Sequence, residues 1–154
     1  MKTLDRIAIR ASIDRVFEVA TAVEHWPQFL RHYRWVRFLD RDENGGIVEM
    51  AAWRPFGVAR YPVWWVSEMR VDRPARQIRY RHVRGITRGM DVLWRVAARS
   101  DDVQVTIEHE WQGPAWPLIG SLTARLVIAP VFIHGIASRT LAGIKRAVEG
   151  GGEA

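Results

Sequence analysis

Leu118 to Glu149, LIGSLTARLVIAPVFIHGIASRTLAGIKRAVE, is the one long run whose apolar residues recur at helical rather than alternating spacing. Counted from Ile133, the residues Ile136, Ala137, Thr140, Ile144, Ala147 and Val148 fall near one face. Arg139, Lys145, Arg146 and Glu149 fall largely on the other. The spacing predicts a long closing helix with one stripe turned to a core. Gly135 and Gly143 lower its helix propensity, and together with Ala137 and Ala142 they let a backbone or a guest approach closely. Pro130 lacks a backbone N–H and crowds the preceding turn, which predicts a kink between a first arm, Ser121 to Ala129, and a main arm from Val131 onward. Leu118 to Ala137 has the length of a bilayer span, about 20 residues. Arg125 and His134 would then sit in hydrocarbon beside Pro130, so a core or lid helix is the preferred reading and a helix lying in a membrane surface the alternative.

Upstream, the periodicity changes. Thr3 to Arg10 alternates, and Ser12 stands as an N-cap ahead of Val16, Phe17, Val19 and Ala20. Glu24 to Leu30 reads as a second short helix with Pro27 in its first turn. Six strand-like runs follow: Tyr33 to Asp40, Ile47 to Arg54, Tyr61 to Asp72, Gln77 to Arg84, Gly89 to Arg99 and Val103 to Trp111. Asp42 to Gly46, Pro55 to Gly57, Asp72 to Pro74, Gly85 and Ser100 to Asp102 carry turn chemistry between them. The expected architecture is α+β: a curved seven-stranded antiparallel sheet wrapped around the long C-terminal helix, with two short helices after the first strand. Such a wall leaves a cavity against the helix.

Composition narrows what the cavity could hold. The chain has 154 residues, 48% of them hydrophobic, enough for one domain with a real core. Without cysteine there is neither a disulfide framework nor a thiolate metal site, and the N-terminus leads into no signal-like apolar stretch, so the cytoplasm is the expected location. A net charge of +6 suggests an acidic partner, an anionic surface or nucleic acid. Eight tryptophans are more than a tight small core needs, and they point to a wide apolar cavity or interface.

Strand side chains alternate sides, which assigns the inward rows. Met90, Val92, Trp94 and Val96 share one face, as do Val103, Val105, Ile107, His109 and Trp111, and as do Ile78, Tyr80 and His82. Tyr61, Val63, Trp65, Ser67 and Met69 line up likewise, and placing Glu49 outside turns Val48, Met50, Ala52 and Arg54 inward. A buried guanidinium at Arg54 calls for an anion, a carbonyl-rich ligand or an open mouth. In Tyr33 to Asp40 both parities are apolar, so Tyr33 and Trp35 either face in or belong to an outer ribbon of aromatics and arginines.

Ile9 to Phe17, Val23-Glu24-His25-Trp26-Pro27 and Tyr33 resemble the START/Bet v1-like (SRPBCC) superfamily in its polyketide cyclase/dehydrase branch, and the closing helix fits the same order. The resemblance implies a helix-grip fold in which residues 1–149 form one ligand-binding domain, followed by a disordered tail at 150–154. It implies a cavity that binds a hydrophobic, carbonyl-rich substrate and promotes aldol cyclisation and dehydration without a cofactor. The substrate would be a hydrophobic small molecule or a polyketide tethered to an acyl carrier protein. Carried over, the family's pocket tryptophan, its following tyrosine and a Trp-Val-Ser stretch fall on Trp26, Tyr33 and Trp65-Val66-Ser67. Where characterised aromatase/cyclases carry a pocket arginine this chain has Met69, with Arg70 at the wrong parity, so Arg54 is the expected replacement cation, with Tyr33 and His109 as proton-transfer partners. The other expected ligand contacts are Tyr80, His82, Trp94, Ile107, Ile133 and Ile136.

The competing readings differ in class. The same cavity could serve a non-catalytic carrier or sensor of a lipid, quinone or aromatic metabolite. His82 and His109 could be ordinary packing. The five histidines lack the spacing of a metal site. Arg76 to Arg84 alternates arginine with buried apolar residues, so it reads as a solvated outer face rather than a nucleic-acid surface. That face, or the one around Arg31, Arg34 and Arg37, could dock an acidic carrier protein or touch a membrane peripherally. Trp53, Trp64 and Trp116 read equally as edge or interface packing, and a homodimer is among the partners the sequence allows.

Overall fold

Alternation along the strands and a 3.6-residue stripe at the C-terminus resolve into one sheet and one long helix in the computed structural model, which describes residues 1–56, 59–112 and 129–150. The elements are β1 (Lys2–Ile9), α1 (Ile13–Thr21), a 3-10 helix (Val23–Gln28), β2 (Tyr33–Asp42), β3 (Gly45–Phe56), β4 (Ala59–Asp72), β5 (Gln77–Gly85), β6 (Asp91–Ala98), β7 (Val103–Glu110) and α2 (Ala129–Gly150). All seven strands join a single antiparallel sheet in the order β1-β7-β6-β5-β4-β3-β2. Hairpin links follow from the short polar turns. The first strand returns to pair with the last, so β1 and β2 form the two edges.

Local chemistry explains the ends of the elements. Ser12 caps α1, its hydroxyl accepting the Arg15 N–H at 3.2 Å. Gly85 ends β5 with φ +99, and a Cβ there would lie 2.4 Å from the Trp64 carbonyl oxygen, so only glycine fits. Pro130 is the second residue of α2 as described, so the kink expected there falls at the edge of the described residues. Residues 121–128 of the expected first arm lie outside the described residues, as do 151–154 of the expected tail. Among the described residues no helix is long and apolar enough to cross a membrane.

The core lies between the inner face of the sheet and the helices. Ile9, Val16, Ala20, Val48, Ile78, Val105 and Ile144 are fully buried there. The expected inward rows of β5, β6 and β7 all point to this core. The row that alternation leaves open is settled by a register shift. Tyr33 pairs with Ala52 and Trp35 with Ala51, so Arg34 is an extra residue in the ladder. Tyr33 and Val36 therefore both face the core, and Trp35 lies outside, where its Nε1 donates to Glu49 at 2.9 Å.

Candidate functional site

Aromatic side chains from five different elements meet beneath α2. Trp26 is buried to 1% exposure, and its Nε1 donates to the Val19 carbonyl at 3.1 Å, which satisfies its one polar atom inside the core. Its ring meets Tyr33 edge-on with centroids 5.4 Å apart and Trp94 at 5.5 Å. Tyr33 in turn lies 6.3 Å from Trp65, and Trp65 stacks on His82 at 5.7 Å with the rings nearly parallel. The belt leaves a cavity, closed on one side by Ile133, Ile136, Ala137 and Thr140 of α2 and on the other by Tyr80, Ile107 and His109. A water molecule's centre has about 70 Å³ to move in, within about 570 Å³ of atom-free space that includes the opening. That is room for several waters or a single ring, and more only if a wall moves.

The polar groups of the cavity are few and neutral. Burial, eased slightly by Thr140, pushes the Tyr33 hydroxyl up to about 12. Burial and the nearby Tyr33 raise Tyr80 well above the ordinary phenol value. Burial lowers His109 to about 4, and burial with the neighbouring His109 lowers His82 to about 3. At neutral pH the phenols keep their protons and the imidazoles carry no charge. His82 Nδ1 lies 2.6 Å from the buried Thr87 hydroxyl. The Tyr80 hydroxyl and His109 Nδ1, by contrast, are sealed from solvent without a hydrogen-bond partner among the described residues.

A second polar chain leads outward from Tyr33. Thr140 Oγ1 lies 3.5 Å from the Tyr33 hydroxyl, donates to the Ile136 carbonyl at 2.8 Å and sits 3.0 Å from His32 Nε2. His32 is held at about 4, chiefly by burial and then by Arg139 and Arg146.

The structure brings together ten of the residues singled out in the sequence: Trp26, Tyr33, Trp65, Tyr80, His82, Trp94, Ile107, His109, Ile133 and Ile136 all line the cavity. Ser67 and Met69 are buried on the same inner face but do not line it. Arg70 is on the outer face, paired with Asp42 at 2.6 Å, as its parity requires. Arg54 pairs with Tyr61 across β3 and β4, but its side chain lies outside the described residues. Thr87, Met50 and Thr140 also line the cavity. Sequence inspection passes over Thr87 because it lies in a turn, and it places Thr140 on the core stripe without showing its partners, which are more than 100 positions away. Trp53 and Trp64 are outside the cavity, lying under Arg34, Arg60 and Arg84. Trp116 lies outside the described residues. Among the described residues no group of three or more His, Asp or Glu side chains is placed to hold a metal ion.

Residues 9–128 match the sequence profile of the family described as polyketide cyclase / dehydrase and lipid transport. A Streptomyces halstedii protein provisionally named a polyketide cyclase is 32% identical over 94 residues, 60% of this chain and 84% of that one. Among solved structures, the Thermus thermophilus protein TTHA0849 superposes with a TM-score of 0.84 at 16% identity, covering 99% of this chain and 100% of that one. The Zhui aromatase/cyclase from a Streptomyces species gives 0.77 at 18% identity, covering 100% and 99%. A START superfamily protein from Mycobacterium smegmatis gives 0.73 at 10% identity, covering 97% of each. These three likenesses establish the fold.

Proposed function

The chain belongs to the polyketide cyclase / dehydrase and lipid transport family, and from that premise we propose that it binds a neutral, hydrophobic, carbonyl-bearing molecule of polyketide type and promotes its cyclisation and dehydration. The supporting observation is the pair of unpartnered polar atoms in an aromatic cavity, the Tyr80 hydroxyl and His109 Nδ1. A buried donor and a buried nitrogen left without partners are costly, and a guest that offers a carbonyl oxygen and an acidic C–H or hydroxyl satisfies both.

The roles follow from protonation. Tyr33 and Tyr80 keep their protons and donate to carbonyl oxygens, stabilising the enolate charge that develops in an aldol step. Neutral His109 accepts the proton released, and its low basicity assigns most of the rate gain to orientation by the aromatic belt rather than to strong base catalysis. Trp26, Trp65, Trp94, Ile107, Ile133 and Ile136 supply the apolar contacts, with His82 stacked on Trp65 as a wall. Arg54 remains the candidate cation at the end of the β3 row.

The test is turnover of a short linear poly-β-ketone thioester, followed by mass spectrometry of the cyclised products. The intact protein accelerates formation of one regiochemical product over the buffer reaction. Tyr33→Phe lowers that rate by about tenfold to a hundredfold while binding, read by tryptophan quenching, persists. Saturable binding with a product distribution identical to buffer would overturn the catalytic reading and leave a carrier.

A further inference from the structure

On the far side of Thr140 from the cavity lies a second, unlike depression. It runs between the end of the 3-10 helix and α2, and its polar floor is made by Gln28, Arg31, His32, Arg139 and Arg146. Among the described residues no carboxylate lines it. We infer that this groove is a binding site for a phosphate-type oxyanion, gripped by the guanidinium groups of Arg31, Arg139 and Arg146.

Three observations carry the inference. First, these arginines are exposed and make no ion pair among the described residues, and although Arg6, Arg73 and Arg88 are unpaired there as well, it is Arg31, Arg139 and Arg146 that line one and the same depression. The nearby acids are committed elsewhere. Glu149, the one acidic residue of α2, accepts the Arg10 N–H at 2.9 Å and pairs with Lys145 at 3.4 Å, and Glu24 of the 3-10 helix pairs with Arg41 at 3.3 Å. Unpaired guanidiniums that line one depression repel one another, and an anion held between them relieves that repulsion.

Second, the fold brings the two walls together by a specific device. A Cβ at Gly143 would lie 2.1 Å from Leu30 Cδ2, and Leu30 is almost completely buried. Glycine at this point of α2 lets the Leu30 turn close onto the helix, which sets Arg31 and His32 opposite Arg139 and Arg146. The same α2 face presents Arg139, Ala142 and Arg146, with the small residue between the two cations keeping the groove open.

Third, the floor is primed electrically. His32 is anchored by Thr140 at 3.0 Å with Tyr33 against its ring at 4.7 Å, and Arg139 and Arg146 add to burial in holding it neutral. The cations that face it are thus felt at the floor of the groove itself. Guanidinium forks match the geometry of phosphate oxygens in two-point hydrogen bonds, which chloride cannot exploit.

The site is independent of what the cavity does. Its test titrates the whole protein with sodium phosphate and, separately, with sodium chloride at matched ionic strength, following the His32 ring signal and the arginine Nε–H signals by NMR. The expected result is a saturable shift of His32, Arg31, Arg139 and Arg146 with phosphate alone. Arg139→Ala with Arg146→Ala weakens phosphate binding about tenfold or more, the matching lysine pair weakens it less, and Arg60→Ala with Arg84→Ala on the outer sheet leaves it unchanged. All these side chains are exposed, and circular dichroism checks that each variant is folded. Competition by phenyl phosphate would assign the groove to soluble esters, whereas retention on phosphatidic acid vesicles over phosphatidylcholine vesicles would assign it to a lipid headgroup; both fall within the proposal. Shifts that track ionic strength alone, or an affinity that survives the double alanine variant, overturn it.

Discussion

The inner and outer faces of the sheet are cut from the same strands and carry opposite chemistry. On the inside, Trp26, Tyr33, Trp65, Tyr80 and Trp94 surround groups that remain uncharged at neutral pH. On the outside, Arg81 pairs with Asp91, Arg95 with Glu108 and Arg70 with Asp42, and Arg34 covers both Trp35 and Trp53. Even the most buried outer carboxylate stays charged: burial works to raise Glu49, but hydrogen bonds from Arg37, Trp35 and Trp64 hold it below the ordinary value. A period of two along each strand separates the two environments by one residue. The inner face is where a change of one atom should be felt, and the outer face is where it should be absorbed by water.

Substitutions test that contrast in descending order of effect. Trp26→Ala removes the ring that touches both Tyr33 and Trp94, and should cost about 3–5 kcal/mol in urea unfolding. Acid comes next. His82 and His109 have folded pKa values of about 3 and about 4, below the ordinary 6.5, so the unfolded chain takes up protons first as the pH falls. The stability held by these neutral rings is complete above about pH 6.5 and drains away toward about pH 4, a loss of about 2–3 kcal/mol for each ring between about pH 7 and about pH 4.5. Unfolding midpoints measured across that window should fall, and His82→Gln should flatten the curve; an unchanged slope would mean that the inner face is wetter than described. Thr87→Val leaves His82 Nδ1 without its partner at 2.6 Å and should cost about 1–3 kcal/mol, read the same way. Arg81→Ala on the outer face breaks a two-point pair with Asp91 at 3.0 and 3.1 Å, yet should cost under about 1 kcal/mol because both groups are solvated. Should Arg81→Ala prove as damaging as Thr87→Val, the contrast between the faces fails.

The same alternation explains what could be read from the residues alone. The succession of strands, the closing helix and the inward rows of β5 to β7 follow from periods of two and 3.6, and the cavity residues on those rows followed with them, whereas the return of β1 to pair with β7 carries no such signal. The β2 row could not be read because the extra residue at Arg34 shifts parity by one, which places Tyr33 inside and Trp35 outside. Ser67 and Met69 show the limit of facing inward. They have the right side of the strand but are covered by neighbours before they reach the open space. The Tyr33-Thr140-His32 chain and the groove beyond it were invisible because they join residues from opposite ends of the sequence, which meet in space where Leu30 packs onto Gly143.

Central to the account is a neutral, aromatic-lined cavity whose phenols donate to a guest's carbonyl. Acetophenone enriched with 13C at the carbonyl, a single-ring ketone suited to the space, tests this directly by NMR. Binding should move the carbonyl resonance downfield in a saturable way, and Tyr33→Phe with Tyr80→Phe should remove the shift while the ring still quenches the cavity tryptophans. An unshifted carbonyl in the bound state, or a shift that survives both substitutions, would contradict it.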